Sequence, residues 1–185
     1  MWPVGLLFKP AGYLHFYRAT PFCIRPVFSI FTVMTSSSLS LPSQKGSYLL
    51  FLHLLSGQTI RTGQLGIFPF PAGFYIYVGS ARGPGGLRAR IQHHLRPSPK
   101  PHWHIDYLRQ YAEITGLFYH LSEESIEHQL AQELQNSSLL ETVAPKFGAS
   151  DCRCPTHLFY SEKEDVVNET ISSLNFFQLA VTTFS

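Results

Sequence analysis

Tyr75-Ile-Tyr-Val-Gly-Ser80 and, after Ala-Arg-Gly-Pro, Gly85-Gly-Leu-Arg-Ala-Arg-Ile-Gln-His-His94 carry the reading of this chain. The first stretch is a strand that ends on glycine. The second opens on a glycine pair and reads as a helix, with Leu87, Ile91 and Leu95 spaced by four on the core-facing side and Arg96-Pro97 as its stop. Arg90 and His94 stand four apart on a neighbouring face, so both can point at one ligand. A strand, a glycine turn and a helix N-terminus form an anion site in principle, because the first helical amides lack internal partners and carry the positive end of the dipole. Phosphate is the expected anion.

Outward from there, Gly46 to Leu55 is a compact apolar run that reads as a central strand buried on both faces and paired with the strand at Phe74 to Gly79. Thr59 to Gly66 reads as a loop or hairpin arm, with Gly57, Gly63 and Gly66 as turn residues. After the Pro97-Ser-Pro-Lys-Pro101 loop, Trp103, Tyr107 and Tyr111 are spaced for a second helix over His102 to Tyr111, and Ile114 to Leu121 reads as a third strand. Ser122 is placed to cap a helix running to about Gln135, with Glu123 and Glu124 in its first turn and Ile126, Leu130 and Leu134 inward. Ser161 with Glu164 three residues on has the form of a capping box for a last helix. Together these elements predict an α/β domain with a small three-stranded antiparallel sheet flanked by helices.

The chain has 185 residues, enough for one domain with a real core, and a net charge of +2 that conceals an asymmetry. Residues 1–105 carry ten Lys or Arg and no acid, whereas residues 106–185 carry four basic and twelve acidic residues. A basic half suits a polyanion such as nucleic acid, and an acidic half can supply ion pairs and metal ligands. Cys23, Cys152 and Cys154 are too few and too closely spaced for a disulfide framework, which points to a reduced, cytoplasmic setting. No run reaches the roughly 20 apolar residues that span a bilayer, so no membrane partner is expected.

Residues 1–44 are a zone apart, proline-broken, acid-free and Ser-rich at its exit, and read as a disordered N-terminal extension before a domain at 45–160 and a C-terminal helix and tail at 161–185. The extension is either an organelle transit peptide or the product of a start placed upstream of Met34, and the chain is organelle-targeted only in the first case.

Gly46-Ser47-Tyr48 and Tyr77-Val-Gly79, with Leu87, Arg90 and His94, resemble the two halves of the GIY-YIG nuclease signature. The Gly79-Ser-Ala-x-Gly83 turn, the His102-Trp-His-Ile-Asp-Tyr107 block and the Phe147-Gly-x-Ser-Asp-Cys-x-Cys-x-x-His-Leu158 tail are similar to the Uri-type endonuclease branch of that superfamily. Ser47 departs from the pattern by standing at the name-giving isoleucine, and the insert at 49–74 is longer than usual.

The resemblance implies a GIY-YIG-like fold and a divalent-metal-dependent endonuclease that hydrolyses phosphodiester bonds in DNA, a reaction expected in repair. It implies Tyr48 as general base or water-positioning group, Tyr77 beside it, Arg90 on the scissile phosphate with His94 nearby, and Glu127 as the ligand of Mg2+ or Mn2+. Arg88 competes with Arg90, and Glu133 is the fallback for Glu127. Arg82, Arg88, Lys100, His102 and His104 are the expected DNA contacts, with a repair protein as a conceivable partner and the oligomeric state open. The alternative class is a catalytically silent nucleic-acid-binding or repair-accessory module. A third reading is a zinc hydrolase built on His102-x-His104-x-Asp106, disfavoured because Tyr107 stands where a further histidine is needed. Cys152, Cys154 and His157 offer three zinc-type ligands, but no fourth follows them, and a structural turn is the preferred reading there.

Overall fold

A computed structural model describes residues 41–174 and 180–183. Its centre is an antiparallel sheet built around β1 (Gly46–Leu54), which pairs with β4 (Gly73–Ala81) on one side and β5 (Glu113–Leu121) on the other. Every β1 residue except His53 is buried, as an apolar run flanked by two strands and covered on both faces must be. The predicted pairing of the first two long strands is present, with Tyr48 opposite Gly79 and Leu50 opposite Tyr77.

The sheet is wider than the expected three strands. β6 (Leu158–Ser161) adds to β4, and β7 (Ala180–Thr183) adds to β5, giving the order β6-β4-β1-β5-β7. A four-residue strand carries too few alternations to declare itself in sequence. The insert between β1 and β4 is a separate two-stranded hairpin, β2 (Gln58–Thr62) and β3 (Gly66–Phe70), turning through Gly63 at φ +52°.

Side-chain alternation divides the core in two. Tyr48, Leu50, Leu52, Leu54, Tyr75 and Tyr77 face one layer with α1 (Gly86–Leu95) and α2 (His104–Leu108). Leu49, Phe51, Ile76 and Val78 face the other, with α3 (Glu127–Asn136) and α4 (Glu164–Ser173). Each buried leucine contributes roughly 2 kcal/mol of transfer free energy. Among the described residues no helix is long and apolar enough to cross a membrane.

Four expectations about the chain's punctuation are corrected. Residues 41–44 belong to the fold, because Leu41 is buried and the carbonyls of Pro42 and Gln44 accept the amides of Arg88 and Leu87; residues 1–40 of the expected extension lie outside the described residues. The second helix is a single short element, since after Leu108 the chain turns through residues 109–111 to reach β5. Helix α3 begins at Glu127 rather than after Ser122, because Glu123 is drawn to Lys45 at 2.9 Å and Arg82 holds the carbonyls of Ser122 and Glu123. Ser161 forms a local turn with Lys163 instead of a capping box, and Lys163 is the residue at the α4 boundary.

Candidate functional site

β6 pairs with β4 only as far as Tyr77, and the strand end beyond it, at Val78 to Ala81, borders a cavity of about 370 Å³. Tyr48 and Tyr77 reach it from adjacent strands, with ring centroids 6.4 Å apart. The position opposite Tyr48 must be glycine: a Cβ on Gly79 would sit 2.5 Å from the Tyr48 ring carbon that bears its hydroxyl. The Tyr-x-Gly strand end is therefore a device for laying one tyrosine across the next strand.

The Tyr48 hydroxyl lies 2.7 Å from His94 Nε2. His94 comes from the last turn of α1, where burial pulls its pKa down to about 3 against the opposing field of Asp106. Burial, reinforced by Tyr77, pushes the Tyr48 phenol well above its ordinary value. Both groups are neutral at physiological pH, and the Asp106 carboxylate facing the other ring nitrogen favours the Nδ1–H tautomer, in which the hydroxyl donates to Nε2. The other His94 nitrogen lies 3.9 Å from Asp106 Oδ1 without a hydrogen bond. Burial alone would raise the Asp106 pKa, but the His102 and Trp103 amides on Oδ2 and His93 at 3.1 Å on Oδ1 outweigh it and hold the group ionised.

This fixes what the His-x-His-x-Asp run is. Asp106 is an internal brace turned toward α1 and its own helix start, while His102 and His104 turn to the cavity. Among the described residues these three do not form a metal-capable group, so the His102-x-His104-x-Asp106 ligand set is not assembled; Asp106 stands instead with His93 and His94. His104 Nδ1 accepts the Gly148 amide at 2.9 Å, leaving Nε2 as the protonated nitrogen.

Arg90 extends from α1 into the cavity with its guanidinium 4.0 Å from the centroid of Trp103. Among the described residues it has no hydrogen-bond or ion-pair partner, an arrangement that leaves its fork of donors for a ligand. Arg88, its competitor in sequence, is exposed and gives Nε to the Leu41 carbonyl. The helix N-terminus itself is not an anion site. Its first amides are taken by Gly83, Gln44, Pro42 and Gly85, and a Cβ on Gly86 (φ +54°) would lie 2.2 Å from the carbonyls of Ser43 and Gln44. The positive charge in the cavity comes from a side chain, not from a dipole.

Glu127, at the first turn of α3, accepts a 2.5 Å hydrogen bond from Ser80 on Oε2, and its Oε1 lies 3.1 Å from His157 Nδ1. Although burial opposes ionisation, His157, Ser80 and His128 together hold this carboxyl below the ordinary range. Glu133 is exposed and does not line the cavity.

Of the expected residues, the cavity collects Tyr48, Tyr77, Arg90, His102, His104 and Glu127, with His94 directly behind Tyr48. Arg82 and Lys100 are exposed and outside it, like Arg88. Sequence reasoning gave no role to Ser80 or His128, and it set Cys152 and His157 aside as a turn. The Gly-Ser-Ala turn contained the signal for Ser80. His128 adjoins Glu127, and the search for a fourth ligand to Cys152, Cys154 and His157 looked only downstream of them.

Residues 47–178 match the family model described as "Domain of unknown function DUF123", and the chain belongs to that family. No curated protein and no solved structure matches it.

Proposed function

We propose that this member of the DUF123 family is a divalent-metal-dependent endonuclease with a GIY-YIG-like site that hydrolyses phosphodiester bonds in DNA. One observation carries the reading: Tyr48, Tyr77, Arg90 and Glu127, separated by up to 79 residues of sequence, line one cavity in which the arginine has no partner among the described residues and the carboxylate is ionised. Those are the parts that phosphodiester hydrolysis requires, namely an ion ligand, a phosphate clamp and a group to take a proton from water.

The residues fit a hard cation. Glu127 is a single braced carboxylate with Asp151 lining the same cavity, and one or two carboxylates with retained waters suit Mg2+ or Mn2+. When bound, such an ion would supply charge stabilisation at the phosphoryl oxygens and a more acidic water. Arg90, held over the Trp103 ring, binds the scissile phosphate through paired N–H donors. Tyr48 takes a proton from the attacking water as its own passes to His94 Nε2, and Asp106 favours the imidazolium that results. Because His94 is strongly disfavoured as a cation, it carries that proton only transiently. Tyr77, hydrophobically seated on Phe147, orients the water or the phosphate. His102 and His104 extend the wall toward the nucleic acid. A cytoplasmic setting and a role in repair belong to the same proposal.

The test is cleavage of labelled duplex, flap, branched and single-stranded DNA by the full chain with Mg2+, Mn2+ or chelator. Cutting that depends on the metal and disappears in Glu127→Gln and Arg90→Ala is the expected result. Binding without cutting on every substrate and metal would replace this reading with a silent DNA-binding module.

A further inference from the structure

The first turn of α3 and the loop before β6 converge on a second chemical centre beside Glu127. His128 Nδ1 lies 3.4 Å from Cys154 Sγ, and His157 Nε2 lies 3.6 Å from Cys152 Sγ. The four donor atoms all fall within 4.8 Å of one another. Zinc bonds of about 2.3 Å to sulfur and 2.0 Å to nitrogen, arranged tetrahedrally, put neighbouring donors roughly 3.3 to 3.8 Å apart. Both measured pairs lie in that interval. We infer that His128, Cys152, Cys154 and His157 bind one zinc ion as a closed Cys2His2 site.

The surroundings favour this over two incidental sulfur–imidazole contacts. Lys146, itself in a left-handed backbone conformation at φ +63°, donates Nζ to the carbonyls of both Cys152 and Cys154 at 3.0 Å. That clamp curls the Cys-Arg-Cys segment and satisfies its backbone, leaving both thiols free to face inward. His157 is almost completely buried, and its Nδ1, 3.1 Å from Glu127 Oε1 but off the line a hydrogen bond needs, has no hydrogen-bond partner. Metal at Nε2 places the proton on Nδ1, where a small ring rotation delivers it to Glu127, the carboxylate–histidine–metal arrangement that orients metal-ligating imidazoles. The one-residue cysteine spacing, unlike a Cys-x-x-Cys knuckle, works here because the remaining ligand comes from α3, 24 residues upstream of Cys152.

Four protein ligands leave no open position, so the ion is structural. Its consequence is positional. His128 is the residue after Glu127 and His157 touches the same carboxylate, so the zinc fastens the first turn of α3 to the loop that carries Asp151 and shapes one wall of the cavity. The site stands independently of whether the chain cuts DNA, and its test reads metal content rather than activity.

Full-length protein prepared with zinc available is exhaustively dialysed and assayed for metal, and the chelator-stripped protein is titrated with Co2+ while its absorption spectrum is recorded. The expected results are about one zinc per chain and, with Co2+, the thiolate charge-transfer and intense visible bands of a tetrahedral two-sulfur site. Cys23→Ser retains the zinc, Cys152→Ser and Cys154→Ser lose it, and His128→Cys keeps it because a third thiolate replaces the imidazole. If the serine variants fail to fold, the Co2+ spectrum of the wild-type chain still decides. A stripped chain with native circular dichroism that gives no thiolate band, or zinc content unchanged in a Cys152→Ser/Cys154→Ser double variant, overturns the assignment. So does a Cys152–Cys154 disulfide in protein purified under reducing conditions.

Discussion

The Tyr48 hydroxyl lies 2.7 Å from His94 Nε2, and the opposite edge of that imidazole faces Asp106 Oδ1 at 3.9 Å. Phenol, imidazole and carboxylate thus stand in line from the cavity inward. A proton arriving at Tyr48 has one neutral acceptor behind it and one ionised group behind that. Removing the hydroxyl in Tyr48→Phe is expected to lower the single-turnover cleavage rate by about 100-fold or more, and His94→Gln by a similar factor, with DNA affinity nearly unchanged. Near-normal rates in Tyr48→Phe would remove the tyrosine from the mechanism.

Gly79→Ala is expected to cost about 1 to 3 kcal/mol in urea denaturation and most of the cleavage activity, because its methyl group overlaps the Tyr48 ring. Gly83→Ala, where an added Cβ meets nothing within 4 Å, is the matched control and should be close to neutral. Equal stability of the two variants would contradict the proposed packing of Tyr48.

Ser80 holds one oxygen of Glu127 at 2.5 Å. Ser80→Ala should therefore raise the Mg2+ concentration needed for half-maximal cutting by about 10- to 100-fold, with the rate at saturating Mg2+ much less affected. An unchanged Mg2+ requirement would show that the hydrogen bond does not orient the ion ligand.

The buried His94 predicts acid sensitivity of the fold. Its folded-state pKa of about 3 lies below the unfolded value of 6.5, so between those pH values the unfolded chain holds a proton that the folded chain refuses. Stability is complete above the unfolded pKa and falls as the pH drops through this window, by up to about 1.4 kcal/mol per pH unit from this group. Asp106, also depressed, adds a loss of the same sign at lower pH. Denaturant midpoints measured from about pH 7 down to pH 4 should decline more steeply in the wild type than in His94→Gln. Parallel profiles would mean that His94 does not resist protonation.

Sequence alone determined the elements whose physics is local or strongly periodic. The β1 run is too apolar for any place but the middle of a sheet, Leu87 and Ile91 recur at helical spacing, and Arg96-Pro97 ends α1; each appears as read. Sequence left Arg88 competing with Arg90, with only the resemblance to the nuclease signature favouring the second; the fold separates them, because Arg88 gives its Nε to the Leu41 carbonyl while Arg90 lines the cavity. Tertiary structure decided whatever depended on partners distant in the chain. The α1 amides looked open until residues 41–44 folded back to fill them, and α3 started late because Lys45 and Arg82 claimed Ser122 and Glu123 first. The width of the sheet turned on β6 and β7, four-residue strands that form on the edges β4 and β5 offer them. Asp106 turned away from His102 and His104 to brace its own helix start, and His128 joined Cys152, Cys154 and His157, through proximities that no spacing rule encodes. Periodicity states which face of an element is apolar; only the closed chain states which polar groups find one another and which, like Arg90, are left for a ligand.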